Sequence, residues 1–162
     1  MASQELSPLV GIWLGQASID RAALDQHLIK LDSPEERKRV EVMARSFESI
    51  AVGLEFRSDG SMEVEMEILP PESEPVRESS VGLWNVLARD GQVITVSCRE
   101  VHGQSASEPQ VVRYDFSSDY NQMSTVAPVG PELEAFQPRI VFERREATDV
   151  AQQPSDSPTL LR

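Results

Sequence analysis

The chain of 162 residues has one cysteine, Cys98, and two histidines, His27 and His102, so nucleophilic or metal chemistry would have to be built from these. Cys98 and His102 lie four apart in a segment whose alternation predicts a strand. Along a strand that spacing is about 13 Å, too far for a thiol and an imidazole base to share a hydrogen bond. A buried or incidental cysteine is the simpler reading. Neither histidine belongs to a cluster with metal-ligand spacing, and no glycine-rich phosphate loop or G-x-S-x-G turn occurs. Glu55, Glu63, Glu65 and Glu67 make an acidic ribbon, but calcium needs oxygens converging on one point, and carboxylates on a convex strand face diverge. Their pattern is that of a solvated face that resists aggregation. The expectation is a non-enzyme with no catalytic residue, no metal and no cofactor.

What remains for function is an apolar lining. In SMEVEMEI (61–68), Met62, Val64, Met66 and Ile68 alternate with three glutamates, the period-2 signature of a strand with one wet face. Flexible thioethers adapt to varied apolar ligands, so Met62, Met66 and Met123, together with Trp84, Tyr114 and Thr125, are the candidates to line a pocket. Tyr114, Thr125 and Arg144 are the few polar groups available to orient a ligand. The alternative is that the same side chains fill a solid core, as happens in small barrels. A connected apolar cavity of roughly 300 Å³ or more separates the two readings.

The elements that would position these residues follow from periodicity. A first strand is expected over 9–17, carrying Trp13. Asp20 can cap a helix with Leu24, Leu28 and Leu31 on one stripe. Ser33, Pro34 and Glu36 open a second helix as a capping box, with Val40, Met43, Ala44 and Phe47 on its apolar face. From residue 50 the period becomes 2. Strands are expected over 51–57, 61–69, 81–88, 92–101, 109–116, 121–127 and 138–145, with loops over 70–80, 102–109 and 128–138.

The hydrophobic pattern also sets registers. A three-residue loop at Ser58-Asp59-Gly60 pairs Phe56 with Met62, Leu54 with Val64 and Val52 with Met66, keeping the dry faces together. The same loop at Arg89-Asp90-Gly91 would pair Val86 with Ile94 and Trp84 with Val96. A two-residue turn there would instead bury Leu83, Leu87, Ile94, Val96 and Cys98. The interior set is then Val52, Leu54, Phe56, Met62, Val64, Met66, Ile68, Trp84, Val86, Ile94, Val96, Val112, Tyr114, Phe116, Met123, Ile140 and Phe142. Faces this consistent need a cover and two protected edges, and closure into an antiparallel up-and-down barrel of about eight strands supplies both. The two short helices between strands one and two could plug one mouth.

The order G-I-W (Gly11 to Trp13), F-x-x-D-G (Phe56 to Gly60), G-x-W (Gly82 to Trp84) and F-x-R (Phe142 to Arg144) resembles that of the small bacterial lipocalin-like, or calycin, barrels. The resemblance covers roughly residues 8–146. It implies that Trp13 sits at the closed end of the barrel with Arg144, or else Arg145, lying across it. Unlike secreted lipocalins, the chain has no disulfide pair and inserts helices after the first strand, and fold likeness does not carry function with it.

Three segments are expected: an N-terminal extension (1–8), a lipocalin-like barrel domain (9–146) and a disordered tail (147–162) rich in Gln, Ser, Pro and Asp, dispensable for folding. The net charge of −12 disfavours nucleic acid and anionic membrane surfaces as partners. No apolar run is long enough for membrane insertion and the first residues lack a signal-peptide pattern, so a soluble, cytoplasmic chain is expected. The functional expectation is a binding module that takes a small hydrophobic molecule through the mouth near the helices. Its alternative is a solid barrel that meets a protein partner or a second copy of itself.

Overall fold

The computed structural model describes residues 7–69, 73–127 and 131–145. In chain order the elements are β1 (Gly11–Ser18), α1 (Arg21–Lys30), α2 (Pro34–Glu48), β2 (Ala51–Phe56), β3 (Ser61–Ile68), β4 (Val76–Asp90), β5 (Val93–His102), β6 (Ser105–Ala106), β7 (Gln110–Phe116), β8 (Gln122–Val126), α3 (Pro131–Glu134) and β9 (Arg139–Arg145). Every pairing is antiparallel, and the sheet closes because β4 pairs with β5 at one end of the order while β1 pairs with β9 in the middle. Eight strands make the barrel, and β6 pairs only with the end of β5. Closure gives every long strand a neighbour on both sides for at least part of its length, which is why alternating faces over so many short strands lead here rather than to an open sheet.

The first hairpin has the expected register, Phe56 opposite Met62, Leu54 opposite Val64 and Val52 opposite Met66. Gly60 takes φ 93°, a conformation that costs a glycine little, and its amide bonds back to the Arg57 carbonyl. Arg57 then bridges Glu55 and Glu63, so the outer acidic ribbon is partly neutralised.

The second hairpin corrects the expected register by two residues. Asp90 pairs with Val93 across a two-residue turn, Val86 faces Val96 and Trp84 faces Cys98. A bulge between Val86 and Ala88 absorbs the difference. It flips the strand by one residue, so Trp84 stays buried while Leu83 and Leu87 remain about half exposed. On this hairpin Trp84, Val86, Ile94 and Val96 stay interior although the pairing changes.

The interior residues form one cluster from Leu9 and Trp13 through Phe56, Trp84, Ile94, Tyr114 and Phe142. Val64, Met66, Val86, Val112 and Ile140 pack against it half-buried, whereas Ile68 belongs to neither core cluster. A second cluster unites Leu24 of α1 and Val40, Ala44 and Phe47 of α2 with Ala17, Ala127, Leu133 and Phe136. Asp20 and Ser33 cap the helices through the amides of Ala23 and Glu36. The return half of the capping box is not made, since the Glu36 side chain bonds to no backbone amide. Ile50 and Ile140 join the two clusters, so the helices cover the mouth on the side of β1 and β9.

Three expected loops contain structure. β4 begins at Val76 rather than 81, because Val76–Ser79 pair with β3 but not with β5, are exposed on both faces and so carry no apolar alternation. β6 and α3 fall in the other two loops. The tail 147–162 lies outside the described residues.

Candidate functional site

β4 and β5 run together from Asp90–Val93 to Gly82–Glu100 and then part. β4 continues along β3 to Val76, while β5 turns away into the short hairpin with β6, held by reciprocal bonds between Glu100 and Ser107. A cavity of about 280 Å³ opens at this parting. Buried Leu54, Met62 and Tyr114 form its floor, half-buried Val64, Cys98 and Val112 its walls, and exposed Val81, Arg99, Glu100, Ser107 and Gln110 its rim. Gly82 makes the site's tightest backbone approach. A Cβ there would stand 2.3 Å from the Arg99 carbonyl oxygen, so only glycine lets the strands meet before they diverge. None of the residues that line the opening belongs to α1 or α2.

The floor and walls of the chamber carry no charge, and Arg99 and Glu100 stand exposed at its rim. Burial pushes the Cys98 thiol up to about 11, and burial followed by the neighbouring Cys98 raises the Tyr114 phenol. Both groups are therefore protonated at neutral pH. Tyr114 stands edge-on to Phe56 and Phe142, with centroids 6.1 and 6.3 Å away. Glu100 at the rim pairs with His102 at 3.1 Å. His27 lies against Phe136 at the helical mouth, so neither histidine meets Cys98. Among the described residues no group of His, Cys, Asp and Glu side chains could hold a metal ion.

At the opposite end the barrel is solid. Trp13 is fully buried, donates its Nε1 hydrogen to the Leu9 carbonyl at 2.9 Å and meets Phe116 edge-on. The Arg144 guanidinium lies over the indole, 4.2 Å from its centroid, and donates to the carbonyls of Pro8, Val10 and Tyr120. Gly11, at φ 138°, leaves the room, since a Cβ there would sit 2.8 Å from Arg144 Nη1. Arg145 lies on the outer face. A closed eight-stranded meander with this tryptophan under this arginine settles the architecture.

The fold is a closed, eight-stranded antiparallel barrel with two helices inserted between β1 and β2. No protein-family model matches the chain, and no curated protein is similar to it in sequence. Among solved structures, a variant of the fluorescent protein UnaG is similar over 91% of this chain and 99% of its own, with 11% identity and a TM-score of 0.36, too low to bear on function.

Within this barrel the sequence-derived candidates separate. Met62 and Tyr114 line the cavity. Met66 packs half-buried on the core beside it, without lining it. Trp84 is 3% exposed and donates Nε1 to the carbonyls of Arg57 and Ser61, which ties it to the first hairpin. Met123 is buried at the Phe142 register, and Thr125 is half-buried opposite Ile140. Leu54, Val64 and Val112 line the cavity and were legible as interior positions. Gly82 and Cys98 were not singled out as lining residues, and the glycine of G-x-W was the signal for the first. A wider trough of about 650 Å³ runs over the outer face where Gly53 leaves a gap between Leu14 and Glu65, but it is a surface feature outside the lumen.

Proposed function

We propose that the protein is a non-enzymatic binding module that takes a small, largely apolar molecule into its lumen through the gap between β4 and β5. The observation that carries this reading is the chamber of about 280 Å³ with apolar floor and walls and no residue of α1 or α2 in its lining. Val64, Cys98 and Val112 are half-buried around it, so they retain apolar surface that a ligand would remove from water. The volume stands just under the usual range of ~300 to 1,000 Å³ for drug-sized ligands, which favours a compact molecule. The floor is a packed core, so the solid-barrel reading describes the Trp13 end and the ligand reading the other.

Titration of the full chain with an environment-sensitive apolar dye tests the proposal. Stoichiometric binding that is abolished by Val112→Trp and unchanged by Leu14→Glu on the outer trough supports it. Binding that follows Leu14 rather than Val112 places the dye outside the barrel and contradicts it.

A further inference from the structure

The cavity has one polar group that an apolar ligand would leave idle. Tyr114 is 4% exposed, and its phenol makes no hydrogen bond to any protein group. Among the described residues no sealed polar side-chain atom lacks a partner. The Tyr114 oxygen is therefore not sealed, and since the residue lines the chamber it is reached from there. Phe56 and Phe142 flank the ring edge-on, which fixes where the hydroxyl points.

Resting on the lumen reading, we infer that the ligand is uncharged and carries one oxygen or nitrogen acceptor that takes the hydrogen bond of the Tyr114 hydroxyl. The charge is disfavoured by what surrounds the chamber. Its buried floor and half-buried walls hold no cation; Arg99, the cation of the lining, is exposed and stands opposite the outward-facing Leu83, and the guanidinium of Arg144 is committed to three carbonyls at the opposite end. A carboxylate would be desolvated without a counter-ion and would pass Glu100 at the rim. A ligand cation fares no better, because Glu100 stands in water at the rim, away from the floor, and Tyr114 and Cys98 are neutral. A buried hydroxyl in an otherwise apolar pocket discriminates strongly for a ligand that can pair with it.

Three compact probes of similar size separate the possibilities: ethylbenzene, acetophenone and benzoate, each used at pH 7 to displace the dye from the full chain. Acetophenone should bind about tenfold tighter than ethylbenzene, the size of one net hydrogen bond, and benzoate should bind weakest. Tyr114→Phe should reduce acetophenone to the ethylbenzene level and leave ethylbenzene unchanged. Incorporating 3-fluorotyrosine at position 114 gives a readout in the unsubstituted fold, with a ¹⁹F shift on adding acetophenone that ethylbenzene does not reproduce. Tightest binding by benzoate, or acetophenone affinity indifferent to Tyr114→Phe, overturns the inference while the lumen reading stands. Failure of the dye and all three probes to bind overturns both.

Discussion

Arg144 holds its guanidinium carbon 4.2 Å from the centroid of the Trp13 ring while three backbone carbonyls from two separate segments accept its hydrogens. One side chain thus ties β9, the 117–121 turn and the stretch before β1 together over a buried indole. Trp13→Ala should cost about 3 to 5 kcal/mol, the range for removing a large buried aromatic. Arg144→Ala should cost at least about 2 kcal/mol, through lost charge-assisted hydrogen bonds and lost packing. The pair should be non-additive in a double-mutant cycle, and Arg145→Ala should be nearly neutral. Chemical denaturation of these variants measures all of it, and additive losses would break the link between the two residues.

Gly82 predicts a local and unusual sensitivity. Its missing Cβ is what lets β4 approach the Arg99 carbonyl. Gly82→Ala should destabilise by about 1 to 3 kcal/mol, as overpacking against backbone does, although alanine is otherwise the mildest replacement. Urea denaturation checks the size, and a neutral result would mean that the strands part without needing that contact.

Much of this architecture could be read from alternation alone. The turn at Gly60 admitted one register that kept Leu54, Phe56, Met62 and Val64 on one face, and that register is the one found. At Asp90–Gly91 two registers competed, and the structure takes neither: a bulge at Leu87, which leaves no mark in apolar periodicity, lets Val86 face Val96. The start of β4 was invisible for a related reason: Val76–Ser79 are exposed on both faces, so nothing there alternates. The site was only half legible. Leu54, Met62, Val64, Val112 and Tyr114 were placed inside, but whether an inside residue faces a void or a neighbour depends on where two strands diverge. Trp84 and Met123 met neighbours.

Alkaline pH should weaken the fold through Cys98. Its folded value, about 11, lies above its ordinary value of 9.0, so its contribution is complete below pH 9 and is lost as pH rises towards 11. At ~1.4 kcal/mol per unit the loss is about 2 kcal/mol, and Cys98→Ala should abolish that part of the slope. Tyr114, also raised by burial, adds to the decline at higher pH in either protein. Stability measured by denaturation from pH 8 to 11 tests the sign. A Cys98→Ala variant with the same slope as the parent would contradict it.

The same burial makes the thiol slow. At pH 8 its thiolate population should be about a hundredfold below that of an unburied cysteine, because the reactive species is the thiolate. Reaction with a disulfide reagent should be correspondingly slow in the folded protein and fast in urea. Rapid modification of the native chain would show that Cys98 is open to solvent.

The claim that the chamber between β4 and β5 receives the ligand is tested most directly by where binding is felt. Amide chemical-shift mapping of the ¹⁵N-labelled protein with acetophenone should move the resonances of Leu54, Met62, Gly82, Cys98, Val112 and Tyr114, which surround the cavity. Shifts confined to Leu14, Gly53 and Glu65 on the outer trough would contradict the account.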